Sequence, residues 1–141
     1  MKRSSGFTVI ELIVVIVILL AASVIFFNQK SHVEAASRDN KRKIDINTMY
    51  HNLEKVYYAK NKSYPKDLNE KALPAVTPDT FKDPDGITVN QSLTEDLGAT
   101  TIHSTYSYEP SDCEGDKCES YTLRADLENE ADYIKKSVHN K

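Results

Sequence analysis

Glycine and proline are scarce, at 4 and 5 of 141 residues. So few glycines leave no Gly-rich phosphate-binding loop and no nucleophile elbow, and His32, His51, His103 and His139 form no His-x-x-x-His metal pair. Scattered carboxylates pick out no catalytic pair, so nothing in the sequence points to an enzyme. Clustered cations are missing from the acidic C-terminal part: residues 63–141 carry eight Lys/Arg against sixteen Asp/Glu. Phosphate contacts need such clusters, which argues against nucleic acid as a main partner. There are only two cysteines, Cys113 and Cys118, whereas a zinc site needs two further ligands. Helix breakers are also absent between Phe7 and Ser63, so nothing encoded stops a helix across that stretch.

Apolar residues are unevenly spread. Of the 21 residues from Phe7 to Phe27, 18 are apolar or aromatic, and the remainder of the chain is lean. A helix of that length spans roughly 30 Å, the thickness of a bilayer's hydrocarbon core. An ordinary secretory signal has a shorter apolar core ending in a small-x-small cleavage site, and Ala21-Ala22-Ser23 is a weak version inside the run. Lys2 and Arg3 precede the run, which predicts a cytoplasmic N-terminus and an extracytoplasmic remainder. The length leaves room for one small domain beyond this segment.

Glu11 is the single charge within the apolar run. A carboxylate there requires either the nearby headgroup interface or a cationic partner. The surrounding Gly6-Phe7-Thr8-Val9-Ile10-Glu11-Leu12, after a short basic leader and before a long apolar helix, resembles the N-terminal signature of type IV pilins and pseudopilins. The resemblance implies that a prepilin peptidase cuts between Gly6 and Phe7, that Phe7 is then N-methylated, and that Glu11 becomes the fifth residue of the mature chain. It also implies partners: copies of this chain and related pilins or pseudopilins, the peptidase, an inner-membrane assembly platform and the lipid bilayer. The physics is compatible, because cleavage frees an α-amine at Phe7 that a neighbour's Glu11 can neutralise within a bundle of apolar helices. One departure stands out: relatives often carry a Gly and a Pro in the second half of this helix, and Leu20 to Asn28 contains neither.

Beyond Phe27 the helix is expected to continue. Residues 28–43, with Lys30, Arg38, Lys41, Arg42 and Lys43, show no apolar stripe and read as a solvated face, or as a basic collar for headgroups or for acidic surfaces of neighbouring subunits. Ile46, Met49, Tyr50, Leu53, Val56 and Tyr57 then recur at intervals of three and four, with Glu54, Lys55 and Lys60 off that stripe. Asn61 to Pro65 ends the helix. The segment from Tyr57 to Pro65, with Leu68 and Leu73, resembles the helix end of the G-type major pseudopilins of type II secretion. Pro65 to Ala72 could form a short helix. Asp83-Pro84-Asp85-Gly86 is a turn by its chemistry.

Some major pseudopilins bind calcium in the sheet region, and Asp83, Asp85, Asp112, Glu114 and Asp116 supply hard oxygens. Their spacing does not fit an EF-hand, so no cofactor is the preferred reading and calcium at Asp83 and Asp85 the lesser one. Ile102, Ser104, Tyr106 and Tyr108 alternate, as do Tyr121, Leu123, Ala125 and Leu127, which predicts an antiparallel hairpin around Pro110 to Glu119. A shorter strand is expected at Ile87 to Val89, and a helical turn or tail at Ala131 to Val138. Cys113 and Cys118 are expected to form a disulfide at the hairpin tip, contributing about 2 kcal/mol through loop closure.

The sequence thus predicts an α+β fold: a long N-terminal helix, half membrane-spanning and half amphipathic, packed on a small antiparallel sheet, pilin-like in layout. The expected organisation is a leader at 1–6, a membrane and assembly helix at 7–27, its amphipathic continuation at 28–62 and a β-rich extracytoplasmic head at 63–141. The expected function is a structural filament subunit of a type IV pilus-like or type II secretion pseudopilus system. The alternative is a bitopic membrane-anchored binding domain that does not polymerise.

Overall fold

The computed structural model describes residues 8–94 and 100–139. It divides into two units, Met1–Ala35 and Ala36–Lys141. Helix α1 runs over Val9–Asn52, followed by a π-helical turn at Leu53–Tyr57 and a last α turn, α2, at Tyr58–Asn61. The uninterrupted run without glycine or proline is what permits this length. The helix ends where Lys62 adopts φ 56°, its N–H bonding to Tyr58 O at 2.8 Å. The left-handed residue that closes the helix is therefore Lys62, within the Asn61 to Pro65 stretch expected to end it.

Six strands follow among the described residues: β1 (Tyr64–Pro65), β2 (Ser92–Thr94), β3 (Thr101–His103), β4 (Tyr106–Glu114), β5 (Lys117–Ala125) and β6 (Tyr133–Lys136). Strands β2 and β3 form a small antiparallel hairpin of their own, with Leu93 opposite Ile102. In the main sheet β5 is central, paired along one side with β4 and along the other with β1 and β6, all antiparallel. The architecture is α+β, a long N-terminal helix with small antiparallel sheets.

The β4–β5 hairpin runs further than its sequence pattern implied. Pro110 lies inside β4, opposite Tyr121, and the turn is only Gly115-Asp116, with Gly115 at φ 63°. A glycine with positive φ at the first central position suits the twist of a two-residue hairpin. Pro110 is tolerated because, among the described residues, no strand pairs with the outer side of β4, where Asn90 stands in for one. The Asn90 N–H bonds to Tyr106 O at 3.2 Å, and its side-chain amide exchanges two bonds with the Tyr108 backbone at 2.7 and 2.8 Å.

Four local expectations change. Pro65 to Ala72 is not helical: Pro65 is in β1, and Asn69 caps a turn through bonds from Lys71 N–H and Ala72 N–H. Ile87 to Val89 makes only a single bridge, Lys82 to Thr88, beside the turn. Ile102 belongs to β3 rather than to the hairpin strand that carries Tyr106, because Ser104 and Thr105 leave the ladder. The segment Ala131 to Val138 supplies β6 instead of a helical turn, its N–H and C=O groups completing the open edge of β5.

The core of the second unit joins Ile46, Met49 and Leu53 of the helix to Tyr64, Leu68, Leu73, Val76, Phe81 and the inward side chains of β4 and β5. Alternation along the strands puts Tyr106 and Tyr108, and Tyr121, Leu123 and Ala125, on this inner face. All eight tyrosines of the chain are in this core or packed against it.

Candidate functional site

The first unit presents an apolar surface with one acid near its start. From Val9 to Phe27 the large apolar side chains are 44% to 75% exposed, all the way round the helix. It is the one helix among the described residues long and apolar enough to cross a membrane. Thr8 starts it by accepting the Glu11 N–H on its Oγ1 at 3.3 Å, so Glu11 sits in the first turn, where the helix dipole favours an anion. Ser23 satisfies its hydroxyl internally, donating to Leu19 O at 2.7 Å, which removes the cost of that polar group in an apolar setting. Gly6 and Phe7 lie outside the described residues.

The basic stretch after the apolar helix is neither a simple solvated face nor a free collar. Asp39 and Arg42 are buried, and Arg42 Nη1 donates to Asp39 Oδ1 and Glu128 Oε1, both at 2.8 Å. Arg38 clasps both oxygens of Glu128, and Lys43 reaches Glu130 at 2.7 Å. Asp39 also accepts the backbone N–H groups of Glu128 and Asn129 at 2.9 and 3.0 Å. The cations are thus occupied within their own chain, pinning the loop between β5 and β6. Arg38 and Arg42 hold the Glu128 carboxyl at about 2, far below its ordinary range. For Asp39, burial pushes the other way but is outweighed by the two backbone donors and Arg42, so its pKa falls. Among the described residues, Arg42 Nε is a buried donor left without an acceptor.

A second buried carboxylate, Glu54, accepts the Tyr64 hydroxyl at 3.0 Å on each oxygen and the Tyr121 hydroxyl at 2.8 Å on Oε1. This corrects the placement of Glu54 off the buried stripe and of Val56 on it, since Val56 is 51% exposed. The cause is the π turn, which inserts one residue into the helical repeat and rotates the residues beyond it. Burial, then hydrogen bonding to Glu54, raises the pKa of Tyr121 and of Tyr64 above the ordinary phenol range. Asp45 plays the same part for Tyr106, accepting its hydroxyl at 2.8 Å, while also pairing with Lys41 at 2.6 Å.

Asp83 serves as a structural anchor. Its Oδ1 accepts the N–H groups of Asp85 and Ile87 at 3.1 and 2.8 Å, and its Oδ2 accepts from Thr105 N and Oγ1 at 2.8 and 3.2 Å. These donors compete directly with a cation for its lone pairs. Among the described residues no three His, Cys, Asp or Glu side chains gather as a metal site. Cys113 and Cys118 are joined by a disulfide across the hairpin tip, opposite each other in the β4–β5 register. Asp112, Glu114, Asp116 and Glu119 surround it on the same tip and are exposed.

Residues 1–27 match the family described as the prokaryotic N-terminal methylation motif. No curated protein matches the chain, and no solved structure does. The chain therefore carries a prepilin-type N-terminal motif of the kind found in type IV pilins and pseudopilins. The match stops at Phe27 and does not distinguish a G-type pseudopilin from other pilins.

Proposed function

We infer that this chain is a structural subunit of a type IV pilus-like or type II secretion pseudopilus filament and has no catalytic role. The observation that carries the reading is the methylation motif at residues 1–27 on a helix whose apolar run, Val9 to Phe27, is exposed all round and holds a single acid, Glu11, in the first turn. In this reading the precursor sits in the bilayer with Lys2 and Arg3 in the cytoplasm and the head outside. Prepilin peptidase cuts between Gly6 and Phe7, and Phe7 is methylated. The new α-amine of one subunit meets Glu11 of a neighbour at the assembly platform, and that pair fixes the axial stagger. Apolar surface that first dissolves the helix in lipid then becomes the filament core.

Intact mass of the protein from its native host tests the processing steps. Loss of residues 1–6 together with gain of one methyl group is expected. A chain that keeps Met1 to Gly6 would instead be the bitopic, non-polymerising binding domain. Electron microscopy with antibody to the head then separates long surface filaments, expected of a pilus, from short envelope-bound ones, expected of a secretion pseudopilus.

A further inference from the structure

Glu54 is 7% exposed and Val56 51% exposed, the reverse of what the apolar periodicity of this helix predicts. A regular α-helix carrying Ile46, Met49 and Leu53 on its buried side would bring Val56 back to that side. The π turn prevents this. Tyr58 N–H bonds to Leu53 O, five residues back, so the turn holds one residue too many and Glu54 takes the inward place.

What holds Glu54 there comes from outside the helix. The Tyr64 hydroxyl arrives from β1, the Tyr121 hydroxyl from β5, and the Val138 N–H from the C-terminal segment, the last at 3.3 Å. The same segment is tied at both ends. Ser137 N–H bonds to Tyr121 O at 3.1 Å, and the His139 ring stacks on Tyr58 at 4.2 Å, its Nε2 3.9 Å from Glu54 Oε2. The sequence therefore encodes two competing registers. Apolar periodicity favours an unbroken α-helix with Val56 inside, and the hydrogen bonds to Glu54 favour the π turn with Val56 outside.

We propose that Leu53–Asn61 is a register switch, held in its π form by the C-terminal segment Ser137–His139. Release of that segment passes the helix to an α form in which Val56 enters the core and Glu54 leaves it. Tyr57 and Tyr58 turn with it, so the end of the helix and the wall against which His139 stacks change together. The C-terminal segment is thereby the element through which an outside contact can reset the helix end.

The test uses full-length protein in detergent carrying Val56→Cys, alkylated with a maleimide under non-reducing conditions. The rate is compared in three backgrounds: otherwise unaltered, truncated after Ser137, and Glu54→Ala. Labelling in the truncated and Glu54→Ala chains is expected to slow roughly tenfold or more, as the thiol passes from an exposed to a buried position. Circular dichroism should show the helix and sheet retained. Where one of the two variants does not fold, the other decides. An unchanged or faster rate in a folded variant overturns the proposal. Loss of the folded state in both overturns it as well, since no second register would then be accessible.

Discussion

Tyr121 of β5 donates its hydroxyl to Glu54, 67 residues earlier in the chain, at 2.8 Å inside the core. Both partners are buried, and Tyr64 shares the same carboxylate. One acid in the helix therefore fixes the two tyrosines that flank it. A hydrogen bond to a charged group contributes about 1.5–3 kcal/mol. Tyr121→Phe keeps the ring and removes only the donor, so a loss of about 2 kcal/mol in urea unfolding is expected at this site. Tyr121→Ala, which also opens a cavity, should lose about 3–5 kcal/mol. Equal losses for the two variants would show that the hydroxyl, rather than the ring, accounts for the whole effect.

Arg42 offers a sharper test because it is buried between two acids. Arg42→Ala leaves Asp39 buried without its cation and should cost about 3–5 kcal/mol. Asp39→Asn in the same chain removes the stranded charge while keeping a carbonyl acceptor for the Glu128 and Asn129 N–H groups. Chemical unfolding of the double variant should give a smaller loss than the sum of the singles. Strict additivity would show that the two side chains do not act as a pair.

Acid should weaken the same cluster in a defined window. The Glu128 carboxyl falls from an ordinary 4.5 to about 2 in the folded chain, through hydrogen bonds from Arg38 and then Arg42. A depressed carboxyl stabilises the fold above its unfolded value, and that contribution is lost as pH falls through the folded value. The loss should therefore run from about pH 4.5 down to about pH 2. Thermal melting across that range should fall more steeply for the natural chain than for Glu128→Gln. Parallel curves would mean that the clasp carries no proton linkage.

The filament reading places its weight on Glu11. Glu11→Ala should leave membrane insertion and removal of residues 1–6 intact, both followed by fractionation and mass, while abolishing assembled filaments. Since the Ala variant removes charge and bulk together, Glu11→Gln should fail in the same way. Normal filament yield in either variant would remove the pairing role.

Much of the molecule was legible in the sequence, for reasons that differ by region. The apolar run and the motif at its start need no tertiary context. The alternation of Tyr106, Tyr108, Tyr121 and Leu123 declared a sheet face because period two has few other causes. Asp39 and Arg42 were missed because they are charged, yet they sit at intervals of three and four from Ile46, Met49 and Leu53 and continue the same stripe. Phase, rather than polarity, was the signal that would have found them. Glu54 and Val56 were exchanged for a different reason, since a π turn leaves no composition signature and depends on tyrosine donors supplied from β1 and β5. Strand β6 is not legible in the sequence because it is a four-residue edge with two lysines, and only the open side of β5 gives it a place.

The outer margin of β4 has a consequence for life among many copies. A strand with bare margins invites a second molecule to continue the sheet, and subunits held in one membrane meet at high local concentration. Here Asn90 occupies the backbone of Tyr106 and Tyr108, and Pro110 offers no donor beyond them. In the proposed filament, this margin of β4 gives a neighbouring copy few free backbone groups on which to continue the sheet.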